Sequence, residues 1–104
     1  MPKTLFDQYE IKKILKSFDG EKVKEIDIYT LEMIHINFKN PIIEINSDET
    51  KFRILKYQNK RNDDYIATFS FNSIKSLEID ELKEIDSVKI YFDKGTSVCI
   101  YYEN

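Results

Sequence analysis

Residues Ser87-Val88-Lys89-Ile90-Tyr91-Phe92-Asp93-Lys94-Gly95-Thr96-Ser97-Val98-Cys99-Ile100-Tyr101-Tyr102 read as a β-hairpin written out from end to end. Asp93-Lys94-Gly95 suits a short hairpin loop with Gly95 in the left-handed conformation, which sets Phe92 opposite Thr96. Ile90 then faces Val98, Val88 faces Ile100 and Asp86 faces Tyr102. On the other side lie Tyr91 with Ser97, Lys89 with Cys99 and Ser87 with Tyr101. One face is aliphatic and the other mixed. A slip of one residue would turn the aliphatic set to solvent, so turn and pattern support the same register.

Working back towards the N-terminus, the period of two persists. Tyr65, Ala67, Phe69 and Phe71 alternate cleanly, and Ile74, Leu77 and Ile79 follow less regularly. Asp80 to Asp86 reads as a loop or a single helical turn, and Gln58 to Asp64 as a polar loop. Phe52 and Ile54 (or, in the other register, Leu55 and Tyr57) mark one strand, Ile43 and Ile45 another, with a turn at Asn40-Pro41 before them. Ile34, Ile36 and Phe38 alternate with Met33, His35 and Asn37; Ile26 and Ile28 alternate with Glu25 and Asp27. β-Branched and aromatic residues dominate these runs, and Ala occurs once, as strands favour.

Ahead of Gly20 the period becomes 3.6. Ile11, Ile14, Leu15 and Phe18 form one stripe, with Lys12, Lys13 and Lys16 opposite. Thr4 and Asp7 have the spacing of a capping box and Asp19-Gly20 supplies a stop, which predicts a helix over residues 4–18. The expected fold is α+β and mainly β: an N-terminal amphipathic helix, then a seven- or eight-stranded antiparallel meander forming a curved sheet, an open barrel or a PH-like (pleckstrin-homology-like) sandwich. With two glycines available for sharp bends, a tightly closed barrel is disfavoured. No repeat, linker or low-complexity segment divides the chain, so residues 1–104 are expected to form a single domain.

Composition supports a folded core. Ile, Leu, Val and Phe supply 32 of 104 residues, well above the roughly 20% at which chains stay disordered. The 16 basic and 19 acidic residues are spread evenly, without a charged tail. The net charge of −3 disfavours a dedicated duplex-DNA binder. The lone Cys99 implies no internal disulfide, and neither a long apolar run nor a leader-like apolar segment is present, so a cytoplasmic, non-membrane protein is expected. The bias to Lys over Arg (14 to 2) and Ile over Ala (16 to 1) suggests an AT-rich bacterial or phage source.

Little in the chain resembles catalytic chemistry. Cys99 and His35 are the sole thiol–imidazole pair, and both fall inside expected strands rather than in a loop cleft. No ligand pair has metal-site spacing, and Gly20 and Gly95 stand too far apart to cradle a phosphate. Neither a catalytic residue, nor a metal, nor a cofactor is therefore expected. Three binding features remain. Glu78, Asp80, Glu81 and Glu84 form an acidic run suited to a basic partner. Tyr91 and Tyr101 lie on the mixed hairpin face, where they either meet another protein or are covered by the helix. Lys51, Phe52, Arg53, Lys56, Tyr57, Lys60 and Arg61 combine cations and rings as a single-strand nucleic-acid surface would.

The expectation is a small non-catalytic module that binds another macromolecule, in the manner of a bacterial or phage protein inhibitor or immunity factor. Single-stranded nucleic-acid binding through residues 51–61 is the alternative. A small-ligand sensor or enzyme with its site in the curved sheet is the third reading.

Overall fold

A computed structural model describes residues 3–55, 65–81 and 85–103. In chain order its elements are β1 (Lys3–Leu5), α1 (Gln8–Lys16), β2 (Glu25–Tyr29), β3 (His35–Lys39), β4 (Ile42–Ile45), β5 (Lys51–Leu55), β6 (Tyr65–Ser70), a 3-10 turn (Phe71–Ser73), β7 (Ile74–Glu81), β8 (Ile85–Phe92) and β9 (Ser97–Glu103). They form a six-stranded antiparallel sheet in the order β1-β7-β8-β9-β2-β3 and a three-stranded sheet in the order β4-β5-β6. The sheets are not joined into a closed barrel.

The β8–β9 hairpin has the register that its sequence implies. Asp86, Val88, Ile90 and Tyr91 pair with Tyr102, Ile100, Val98 and Ser97. Phe92 donates its N–H to the Thr96 carbonyl at 2.9 Å. Gly95 has φ +84°, a conformation that L side chains rarely adopt, so the turn requires a glycine.

The N-terminus corrects the expected helix over residues 4–18. Lys3 to Leu5 pair with Ile79 to Leu77 as a short edge strand, so Thr4 is a strand residue and the capping box is not formed. Asp7 caps the helix instead, accepting the Glu10 N–H at 3.0 Å. The sheet's edge takes the backbone of residues 3–5, and Leu5 buries its side chain there. Eight strands follow the helix, as expected, but Asp80, Glu81, Ile85 and Asp86, read as loop or helical turn, lie in β7 and β8, and Phe71, read as a strand residue, opens the 3-10 turn. The strands are not one meander, however, because β2 lies beside β9 and the chain crosses to a second sheet between β3 and β7.

One core cluster fills the space between the elements. Ile26, Leu77, Val88, Ile90, Val98 and Ile100 come from one face of the large sheet, Ile11 and Leu15 from α1, and Ile43, Phe52 and Ile54 from the small sheet. Each is at most 1% exposed, and such burial stabilises by roughly 1.5–3 kcal/mol per side chain. Phe52 also stacks on Phe69 and Phe92, with centroids 5.2 and 6.3 Å away, which ties the two sheets together through aromatic contact. Since α1 and the small sheet pack on the aliphatic face, the opposite face of the large sheet carries neither.

The β2–β3 hairpin departs from the pattern. Ile36 lies on the aliphatic side, opposite Ile28, yet the alternation of Ile34 and Ile36 does not lead into the core. Leu31, Met33, Ile34 and Ile36 are 71, 91, 53 and 39% exposed.

Candidate functional site

Pleating sends alternate residues to opposite faces, so the uncovered face of the large sheet can be written from its registers. Running from β7 through β8, β9 and β2 to β3, one row is Ser76, Tyr91, Ser97, Tyr29 and His35. The next row is Glu78, Lys89, Cys99, Asp27 and Asn37. The third is Asp80, Ser87, Tyr101, Glu25 and Lys39. Thr4 of β1 extends the middle row beside Glu78. The face is thus built of tyrosines, serines and charges around one cysteine, with a shallow depression of about 450 Å³ over Glu78, Lys89, Cys99 and Tyr101.

Its β2–β3 end is organised by hydrogen bonds. Asp27 Oδ1 pairs with His35 Nε2 at 2.9 Å and accepts from Asn37 Nδ2. Asn37 Nδ2 also donates to Glu25 Oε1, as does Lys39 Nζ at 2.7 Å. One amide therefore bridges two carboxylates. Burial pushes the Asp27 pKa up, but the bonds from Asn37 and His35 outweigh it and hold the carboxyl below its ordinary value. The bonds from Lys39 and Asn37 do the same for Glu25. The His35 ring lies flat on Tyr29, with centroids 4.5 Å apart and 5° between planes. These side chains are held in place before any partner arrives.

The chemistry of Cys99 is that of a structural thiol. Burial pushes its pKa up, although the bond with Tyr101 and the Lys89 charge act the other way. A thiol kept protonated is a poor nucleophile. Bonding to Cys99, with burial added, holds Tyr101 above the ordinary tyrosine range. Among the described residues no group of three or more His, Cys, Asp or Glu side chains could hold a metal ion, and no helix is long and apolar enough to cross a membrane, which says nothing of β-barrels.

The residues picked out for a protein interface largely converge here. Glu78, Asp80, Tyr91 and Tyr101 all lie on this face, half-buried, and α1 does not cover them. Glu81 ends β7, and Glu84 lies outside the described residues. The nucleic-acid candidates fare differently. Phe52, read as a platform for bases, is fully buried and cannot stack on a ligand, because on β5 it faces the core from the same side as Ile54. Arg53 reaches Glu44 at 3.4 Å across the strand pair, and Lys51 is exposed at the start of β5. Lys56, Tyr57, Lys60 and Arg61 lie outside the described residues.

Reading the sequence missed Glu25, Asp27, Tyr29, His35, Asn37 and Lys39 as site residues. Their alternation with the apolar positions of β2 and β3 was visible. Their placement beside the terminal hairpin depends on the β9–β2 pairing between residues some seventy positions apart. Comparison of the chain with protein-family models, with curated proteins and with solved structures found no match.

Proposed function

We propose that the chain is a non-catalytic protein-binding module, of the inhibitor or immunity-factor kind, and that the uncovered face of its large sheet is the recognition surface. The observation that carries this reading is the make-up of that face: three tyrosines, three serines and a pre-set cluster of charges, on rigid strands that the rest of the fold leaves open. Tyr offers large contact area at low entropic cost, while Ser and Asn supply adaptable hydrogen bonds, the composition on which designed and natural paratopes rely. Preorganisation of Asp27, His35 and Asn37 lowers the ordering cost of binding.

Charge adds direction. Glu25 is paired with Lys39 and Asp27 is hydrogen-bonded to His35 and Asn37, whereas neither Glu78 nor Asp80 has an ion pair among the described residues. With Lys89 opposite Glu78, the β7 end of the face sets two carboxylates against one ammonium; this excess favours a partner with a basic patch, which would associate faster at low salt. Small-ligand pockets are predominantly apolar and enclosed. The depression over Cys99 is shallow and lined by polar side chains, which favours a protein over a metabolite.

The test is quantitative affinity capture from lysate, followed by mass spectrometry, with three baits: the wild type, the Glu78→Lys/Asp80→Lys variant, and Lys13→Glu on α1 as a control. A protein retained by wild type and control, and lost by the face variant, supports the reading. Retention of the same proteins by all three baits removes this face from consideration.

A further inference from the structure

The outward side of α1 gathers cations around an exposed ring. Ile11, Ile14 and Leu15 turn to the core, so Tyr9, Lys12, Lys13 and Lys16, spaced three and four residues apart, fall together on the opposite side of the helix. Tyr9 is 76% exposed. Phe6, just ahead of the Asp7 cap, is 70% exposed. A phenylalanine at that position would ordinarily staple onto Ile11, but Ile11 is taken up by the core and most of the Phe6 ring stays in solvent.

The stripe and the β4–β5 turn border a depression of about 310 Å³, lined by Tyr9, Lys12, Lys13, Lys16 and Glu49. Lys12 Nζ stands over the Phe71 ring, 5.6 Å from its centroid, and Lys16 Nζ is 2.9 Å from Glu49 Oε1. Two of the three ammonium groups are thus held at the rim. Three cations face one carboxylate there. Glu49 belongs to the turn at the opposite end of the small sheet from Leu55 and Tyr65. Asp7 stays at the N-terminal end of the helix, accepting the Glu10 N–H.

This chemistry selects among polyanions. Lysine is depleted from protein interfaces, which disfavours an acidic protein. A helix lying on a membrane puts its apolar stripe into the lipid, and here that stripe is in the core. Cations interleaved with exposed rings are what a strand of phosphates and unpaired bases requires. We infer that the outward side of α1 binds single-stranded nucleic acid, with Lys12, Lys13 and Lys16 on phosphates and Tyr9 stacked on a base. From Tyr9 to Lys16 the stripe runs about 10 Å along the helix, the length of about three stacked nucleotides. The site is separate from the basic stretch 51–61, whose Phe52 ring is buried. It does not rest on the recognition reading above, because α1 packs on the aliphatic side of the large sheet and the recognition face is the other side.

Fluorescence anisotropy of a labelled oligothymidine about 20 nucleotides long, titrated with the full chain at about 50 and 200 mM salt, tests the inference. Far-UV circular dichroism confirms that each variant is folded. The expected Kd, about 10 μM at the lower salt, rises about fivefold or more in Tyr9→Ala and is kept in Tyr9→Phe, as the loss of one stacked base demands. Lys13→Glu raises it about tenfold and flattens the slope of log K against log salt by about 0.7, the share of one phosphate contact. Lys94→Glu, the same charge change on the β8–β9 turn, shifts Kd by less than about twofold. Glu49→Gln removes the opposing carboxylate and releases Lys16, so it tightens binding, a gain that damage to the fold cannot imitate. Absence of binding, indifference to Tyr9→Ala, equal losses in Lys13→Glu and Lys94→Glu, equal affinity for a duplex of the same length, or displacement by polyglutamate of matching charge would each overturn the inference.

Discussion

Asp27 is mostly buried, at 8% exposure, yet charged, and its environment accounts for both. It gives up hydration and receives Asn37 Nδ2 and His35 Nε2 on one oxygen. Charge-assisted bonds of this kind are worth roughly 1.5–3 kcal/mol each. Because its folded-state pKa is depressed, the stability that Asp27 contributes is fully present above the unfolded carboxyl value near pH 4. It is lost as pH falls through the lower folded value. Asp27→Asn should therefore lower stability at pH 7 by about 1–2 kcal/mol. Its urea-denaturation stability should also fall less steeply than wild type as pH drops below about 4. Equal slopes for the two proteins would show that the Asn37 and His35 bonds do not favour the ionised form. The sequence marks Asp27 as one polar position in an alternating strand. Nothing in residues 25–29 tells it from Glu25, since its depth comes from lying mid-strand between Cys99 of β9 and Asn37 of β3. Asp86 makes the same point: its carboxylate faces Tyr102 as the hairpin register implies, but the burial of its Oδ1 without a partner among the described residues is a tertiary fact.

At the scale of elements, local signals succeed where the partner is near in sequence. The β8–β9 hairpin is legible residue by residue because one turn, with a glycine at positive φ, sets every pair. β1 is not legible in the same way, since Lys3-Thr4-Leu5 has a single apolar residue and its partner β7 lies more than seventy residues on. Thr4 and Asp7 both look like helix caps, and only geometry separates them. Asp7 has extended backbone angles (φ −72°, ψ 123°) and accepts the Glu10 N–H, while Thr4 pairs with Glu78 in the sheet. Asp7→Ala should cost about 0.5–2 kcal/mol, in the range of lost N-caps. Thr4→Val, which keeps the shape and favours strand, should be near neutral. Thermal unfolding of the two variants decides between the caps: a drop in Tm for Thr4→Val that matched or exceeded the drop for Asp7→Ala would return the cap to Thr4.

In the whole molecule, two sheets of unequal size share one core, and the join is aromatic. Phe52 and Phe69 belong to the small sheet, Phe92 to the large one, and Phe71 to the turn that links them. Phe69 and Phe92 are stacked 5.0 Å apart, and Phe52 lies within 6.3 Å of Phe69, Phe71 and Phe92 alike. Sequence alone puts rings in strands and leaves two uses open for Phe52, a surface ring for bases or a core ring. The choice is made by the second sheet folding over the first, which no local pattern announces. If Phe52 is the hinge of this join, Phe52→Ala should cost about 3–5 kcal/mol, the usual loss for a buried ring. Residues that share a cavity couple. Phe52→Ala and Phe92→Ala together should then cost less than their separate effects added, by about 0.5–3 kcal/mol, because the second truncation removes contacts the first has already broken. Chemical denaturation of the two single variants and the double variant closes the cycle. Strict additivity would mean that the sheets are held by the aliphatic core alone. A loss below about 1 kcal/mol in Phe52→Ala, with weakened binding of single-stranded oligonucleotide, would put that ring back at a surface.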